Sequence, residues 1–257
     1  MRFVIAIIFG LVGLVTYYST STQNPVTGEK QHIKLTASQE VALGHQLAPQ
    51  MASQFGGVSS DAAASEQVAK VGAAVVAQSQ AGKTPYQFAF HLLNDRNTVN
   101  AFALPGGQIF ITEALARRLK NADELAAVLG HEVGHVLARH SAEHLAKEQL
   151  TQSMVGAVVI GSGGSYNTAQ LAQIVGSMVT MKHSRDDELE ADALGLRLMQ
   201  ESRYDPRAMI GVMQTLEHAS GGGRQPEFAS THPNPGNRIA KIKEQLAKMP
   251  APQSPAH

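Results

Sequence analysis

The sequence predicts an α+β fold, mostly helical, with one small sheet. Three features of the 257 residues carry that expectation: apolar residues at helical spacing over most of the length, one strand-like block between Pro85 and Thr112, and a helix immediately after that block bearing His131-Glu132-Val133-Gly134-His135. The length suits one sizeable core rather than two small ones. Lys+Arg and Asp+Glu are equal at 21 each, so no net positive charge points to a nucleic-acid partner. The absence of cysteine excludes a disulfide framework, a thiolate metal site, a cysteine nucleophile and a lipidated N-terminal cysteine. The absence of Trp and the few aromatics suit closely packed helices better than a stacking groove for sugars or bases.

Arg2 precedes an apolar run from Phe3 to Tyr18. It is short for a membrane span, which needs about 20 residues, and long for a signal-peptide core of about 7–15. Residues 1–20 are therefore expected to be a targeting element, an uncleaved membrane anchor in preference to a cleaved signal. The leading positive charge keeps the N-terminus cytoplasmic and sends the rest across the membrane. Residues 21–34 are polar and hold Asn24-Pro25 and Thr27-Gly28, the composition of a tether or of an arm wrapped on the following domain.

The domain proper is expected over residues 35–249. Thr36 and Gln39 form a capping box that opens a helix through about Ala52, with Pro49 bending it. Asp61 opens the next, whose Val68, Val71 and Val75 form an apolar stripe, through about Gln80. Alternation over Tyr86–Leu93, Asn100–Leu104 and Gln108–Thr112, punctuated by Asn94–Asn97 and Pro105-Gly106-Gly107, predicts three strands, one of which is a candidate to line a substrate cleft. Glu113–Lys120 reads as a short helix.

Asn121 then caps the helix on which the chemistry is expected. Histidines four apart share one helix face, so both imidazoles reach one ion. Glu132, a quarter turn round, is placed to hold the attacking water rather than the ion. Two histidines do not complete a zinc site, and the third donor is read as Glu188 in the helical run Ser184–Ala193, with Glu190 as second choice. Asp192, one turn after Glu188, is placed to accept the free ring N–H of His131. The zinc helix is expected to run on through Arg139, His140 and His144, which would put His140 on the face opposite His131. His140 and His144 are thus read as solvated or structural, not as a second metal site.

Residues 151–182 are less legible. Met154–Gly164 is apolar and then glycine-rich but lacks the third glycine of a nucleotide-binding loop, and a mobile lid with a helix over Ala169–Met181 is the working expectation. Tyr204-Asp205-Pro206 starts another helix, Ser220–Gly223 is a loop, and an amphipathic helix ends near Met249 before a disordered tail over residues 250–257.

The His-Glu-x-x-His pair, the downstream Glu188-x-x-Ala191-Asp192, the strand-like Asn100–Gly107 and Thr231-His232-Pro233 together resemble the HtpX and CAAX-prenyl-protease family of membrane-associated zinc endopeptidases, in particular its single-anchor periplasmic branch. The similarity runs from about Leu35 to about Leu246. It implies a zincin-like (gluzincin) domain binding one Zn2+ per chain. It further implies an enzyme of the cell envelope, anchored in the inner membrane on the periplasmic side, that cleaves unfolded or misassembled proteins. In that family the His-Pro motif faces the metal, so His232 is expected to donate to the oxyanion or to occupy the open zinc position at rest. Arg238 is expected to brace that histidine or to bind a substrate carbonyl. No tetratricopeptide-like repeats follow, so the partner platform of larger members is not expected. The competing expectation is a zinc-bearing chaperone or adaptor whose cleft stays plugged.

Overall fold

A computed structural model describes residues 15, 17–155, 168–220, 227–233 and 238–250. The apolar run up to residue 14, the glycine-rich stretch expected to be a lid, the loop after Ser220 and the expected tail beyond Pro250 lie outside the described residues. Among the described residues no helix is long and apolar enough to cross a membrane.

The chain enters as an antiparallel hairpin of β1 (Ser21–Gln23) and β2 (Lys30–His32), followed by α1 (Ala37–Gln54) and α2 (Ala62–Ala77). Both helices start where their caps predict. Thr36 accepts from the Gln39 N–H while the Gln39 side chain accepts from the Thr36 N–H, and Asp61 accepts from Ala64. α2 stops three residues short of expectation, and a 3-10 turn over Gln80–Lys83 takes up the rest, with Ser79 accepting from Ala81.

Next come β3 (Ala89–Leu93), β4 (Ala101–Ala103) and β5 (Gln108–Thr112), as expected in number and place. β5 lies in the middle, parallel to β3 and antiparallel to β4. Its position explains its composition. All five residues of β5 are buried, with Ile109 and Ile111 in a core shared with α2 and the later helices, and Phe110 on the other face in a core with α1.

The short α3 (Glu113–Ala116) leads into α4 (Ala122–Ala138), capped by Asn121, whose Oδ1 accepts from Glu124 N–H at 2.9 Å. The Glu124 carboxylate reaches one residue further back than a capping box would place it, accepting from Lys120 N–H at 2.8 Å. Every residue of α4 from Glu124 to Ala138 is buried. Around it stand α5 (His140–Val155), α6 (Thr168–Thr180), α7 (Arg185–Glu201), α8 (Ala208–Ser220), α9 (Glu227–Thr231) and α10 (Arg238–Lys248). α6 appears within a residue of its expected bounds, and α7 opens on a capping box of Ser184 and Asp187.

One expectation is corrected. The zinc helix does not continue through His144: it ends at Arg139, which takes a left-handed φ of 62°, and α5 restarts at His140 on a new axis. Side-chain contacts hold the break, since the Arg139 guanidinium donates to the buried Glu40 carboxylate and to the Leu35 carbonyl at 2.6 Å. The hairpin secures the same helix end, with Asn24 Nδ2 donating to Leu137 O at 2.9 Å and Gln31 Nε2 to Ala138 O. These bonds satisfy carbonyls that a helix C-terminus leaves without partners.

α4 packs along α7, and Gly134 sets how closely. A Cβ there would stand 2.8 Å from the Ala191 carbonyl oxygen and 3.2 Å from its Cα, both backbone atoms that cannot turn aside. Gly134→Leu should therefore part the two helices and cost about 1–3 kcal/mol, read as a lower unfolding midpoint, with weaker metal retention if, as the sequence leads one to expect, α7 carries one donor and α4 two.

Under the sheet, Glu113 accepts from Ser59 Oγ at 2.6 Å, from Arg96 Nε at 2.8 Å and from Arg117 Nη2 at 3.0 Å. The Ser59 hydroxyl and the two guanidiniums outweigh burial and hold its pKa down to about 2. A carboxyl depressed on folding adds stability that is complete above its unfolded value and fades as pH falls towards the folded one. Glu113→Gln should flatten the decline of the unfolding midpoint between about pH 4.5 and pH 2.

Candidate metal centre

α4 supplies His131, Glu132 and His135, and α7 supplies Glu188 and Asp192. His232 follows α9, and Arg238 opens α10. All seven are at most 2% exposed. These are the seven residues singled out in the sequence, and the fold brings them to one place.

The imidazole Nε2 atoms of His131 and His135 stand 3.0 Å apart. Glu188 Oε2 lies 3.6 Å from the first and Glu188 Oε1 3.4 Å from the second. Donors held about 2.1 Å from a tetrahedral ion sit about 3.4 Å from one another, so the three fit a zinc ion in both element type and spacing. His232 Nδ1 joins them, 2.9 Å from Glu188 Oε1 and 3.4 Å from His131 Nε2, making four donors that one cation could touch. Glu190, the second choice for the metal, is not among them.

Glu132 stands beside this set without belonging to it. Its carboxylate is buried, neither oxygen has a hydrogen-bond partner among the described residues, and His232 Nε2 is 3.7 Å from Oε1. Burial raises its pKa, with His232 and His131 pulling the other way. A buried carboxylate with free lone pairs has the character of a general base.

Asp192 Oδ1 lies 3.0 Å from His131 Nδ1, where the sequence places it. Arg238 forks onto Asp192, with Nε at 2.8 Å from Oδ2 and Nη2 at 2.6 Å from Oδ1, while Nη1 reaches Glu188 Oε2 at 2.7 Å. Of the roles weighed for Arg238, this arrangement favours bracing, and what it braces is the pair of carboxylates rather than His232.

Charge balance follows these contacts. Burial pushes the Glu188 carboxyl up, but His232, His135 and His131 hold it well below the usual carboxylate range. Burial acts likewise on Asp192 and is overcome by His131 and Arg238. His135 is driven well below the usual imidazole value, first by burial and then by His183. For His232, burial lowers the value, but Glu188 and Glu132 raise it further.

Three neighbours were not placed at the site by the sequence pattern. His183 lies against His135 with ring centroids 4.0 Å apart and planes tilted by 32°, and its backbone N–H donates to Thr231 O at 3.0 Å, tying the start of α7 to the residue before His232. Phe228 stacks on the His232 ring at 4.4 Å and 18°, one helical turn before it. His140, read as solvated or structural, is buried as the second of these has it, but it faces His135 rather than the far side, with Nδ1 2.8 Å from His135 Nδ1. Its Nε2 is 3.1 Å from Glu190 Oε2. The restart at Arg139 turns it inward, which a continuous helix could not do. His144 pairs with Glu148 at 3.3 Å, partly exposed and away from this cluster.

The profile of Peptidase family M48 matches residues 62–246. The chain is 37% identical over 167 residues to the mitochondrial metalloendopeptidase OMA1 of Schizosaccharomyces pombe, covering 64% of this chain and 48% of that protein. It is 30% identical over 234 residues to the beta-barrel assembly-enhancing protease of Yersinia pestis, covering 88% and 47%. The corresponding Escherichia coli protease is 28% identical over the same length, again covering 88% and 47%. The chain thus spans about half the length of the curated relatives it matches.

Proposed function

This chain belongs to peptidase family M48, and we propose on that premise that it is a zinc-dependent metalloendopeptidase acting on unfolded or misassembled proteins of the cell envelope. The observation that carries the proposal is the convergence of His131, His135 and Glu188 at zinc-ligand spacing, with the unbonded carboxylate of Glu132 beside them.

A zinc ion on these three residues supplies Lewis acidity, making a water more acidic and a peptide carbonyl more electrophilic. The protein does the rest. Glu132 takes the proton of the attacking water and returns it to the leaving amine. Its raised pKa suits it to both tasks. Asp192 holds the His131 ring in one orientation, and Arg238 keeps Asp192 and Glu188 ionised in a buried site. His232 stands where a fourth donor would. Held beside Glu188 and His131, its ring would be placed to donate to the oxyanion once a metal is bound.

The Yersinia pestis and Escherichia coli relatives, named for beta-barrel assembly, support a place in the envelope. There the apolar N-terminal run would anchor the domain on the periplasmic side. The placement of His232 also favours a second reading, a zinc-bearing chaperone or adaptor whose cleft stays closed.

Turnover of unfolded casein separates the two. The peptidase reading expects cleavage that a chelator abolishes and added zinc restores. Suppressed aggregation of the casein without any cleavage would replace it with the chaperone reading.

A further inference from the structure

We propose that His140 and Glu190 form a relay that positions the His135 imidazole as a metal ligand. The inference rests on the zinc reading above and adds two residues to it.

Counting ring protons leads to a single arrangement. A neutral imidazole carries one N–H and one lone pair. His135 Nε2 lies in the donor set, 3.0 Å from His131 Nε2 and 3.4 Å from Glu188 Oε1, so its lone pair must face the ion and its proton must sit on Nδ1. That Nδ1 is 2.8 Å from His140 Nδ1, a separation that calls for one proton between the two nitrogens. His140 Nδ1 is then the acceptor and Nε2 carries the proton. Nε2 in turn faces Glu190 Oε2 at 3.1 Å, with Asp187 Oδ1 at 3.8 Å.

The setting makes the chain of bonds matter. His135 is 1% exposed and His140 4%, so no solvent replaces a lost partner. The Glu190 side chain, at the outer end of this chain of bonds, keeps 28% of its surface exposed. Each imidazole ligand thus has a carboxylate behind it: Asp192 directly behind His131, and Glu190 behind His135 through a second imidazole. Such partners fix the ring and strengthen its lone pair as a ligand. His135, His140 and His183 could hold a second cation only if His135 bound ions through both ring nitrogens and lost its last proton, so the relay is the simpler chemistry.

The test is zinc affinity, measured by competition with a chromophoric chelator, beside the unfolding midpoint of the metal-free protein. Glu190→Gln keeps an acceptor but loses the charge, and His140→Phe removes the acceptor for His135. The zinc dissociation constant should rise about 10-fold in the first and about 10–100-fold in the second. The metal-free midpoint of Glu190→Gln should match the parent, which separates positioning from a structural role. If His140→Phe does not fold, Glu190→Gln and the ring tautomers decide. Nitrogen-15 spectra of the zinc-loaded parent should show the proton on Nδ1 of His135 and on Nε2 of His140. Parental zinc affinity in Glu190→Gln, or a proton on Nδ1 of His140, overturns the relay and leaves the peptidase reading standing. A parent that binds no zinc overturns both.

Discussion

Glu132→Gln should lower casein turnover by about 10²–10⁴-fold while the protein keeps its zinc. Gln has nearly the shape of Glu but cannot accept a proton, and Glu132 is not among the residues that can share the ion. The lost step is therefore proton transfer and not metal binding. A second consequence comes from the raised pKa of Glu132. A carboxyl whose folded pKa lies above its unfolded one gives stability below the unfolded value and loses it as pH rises through the folded value. Burial of this unbonded group therefore costs stability as pH rises. The metal-free Glu132→Gln protein should unfold at a higher temperature than the parent, although it is the less active. Unchanged turnover would remove Glu132 from the mechanism, and an unchanged midpoint would mean its burial costs nothing.

Arg238→Met should be among the most destabilising single substitutions in the domain. The guanidinium meets Asp192 through two nitrogens and Glu188 through the third, all buried. Removing it strands two carboxylates that burial already disfavours, and breaking a buried charge pair in this way costs about 3–5 kcal/mol. Urea unfolding of the metal-free protein measures the loss. Arg238→Lys should rescue little, because one ammonium cannot span both carboxylates as a planar fork does. Excess zinc should recover part of the stability, since the cation itself neutralises Glu188.

Local signals were the legible ones. The caps at Thr36, Asp61 and Asn121, the three strands, and the helix pair carrying His131, His135, Glu188 and Asp192 each rest on spacing within one stretch of chain. The order of the sheet does not. β5 sits between β3 and β4 and is the one strand of the three buried along its whole length, with Phe110 opposite Ile109 and Ile111. The break at Arg139 was hidden for a related reason. No glycine or proline marks it, and its cause, the bond to Glu40, lies a hundred residues away in sequence and adjacent in space. That one residue of backbone decides which way His140 faces, and with it the contact between His140 and Glu190. His183 sits just ahead of the α7 cap, where no helical period gives it a face. Arg238 was recognised as part of the site, but its partners come from another helix, so bracing and substrate binding could not be separated before the fold was known.

Anomalous diffraction at the zinc absorption edge, from crystals of the zinc-loaded protein, addresses the centre itself. One strong peak per chain is expected at about 2.0–2.2 Å from His131 Nε2, His135 Nε2 and a Glu188 carboxylate oxygen. A peak bound elsewhere, or zinc absent from a well-folded protein, would contradict it.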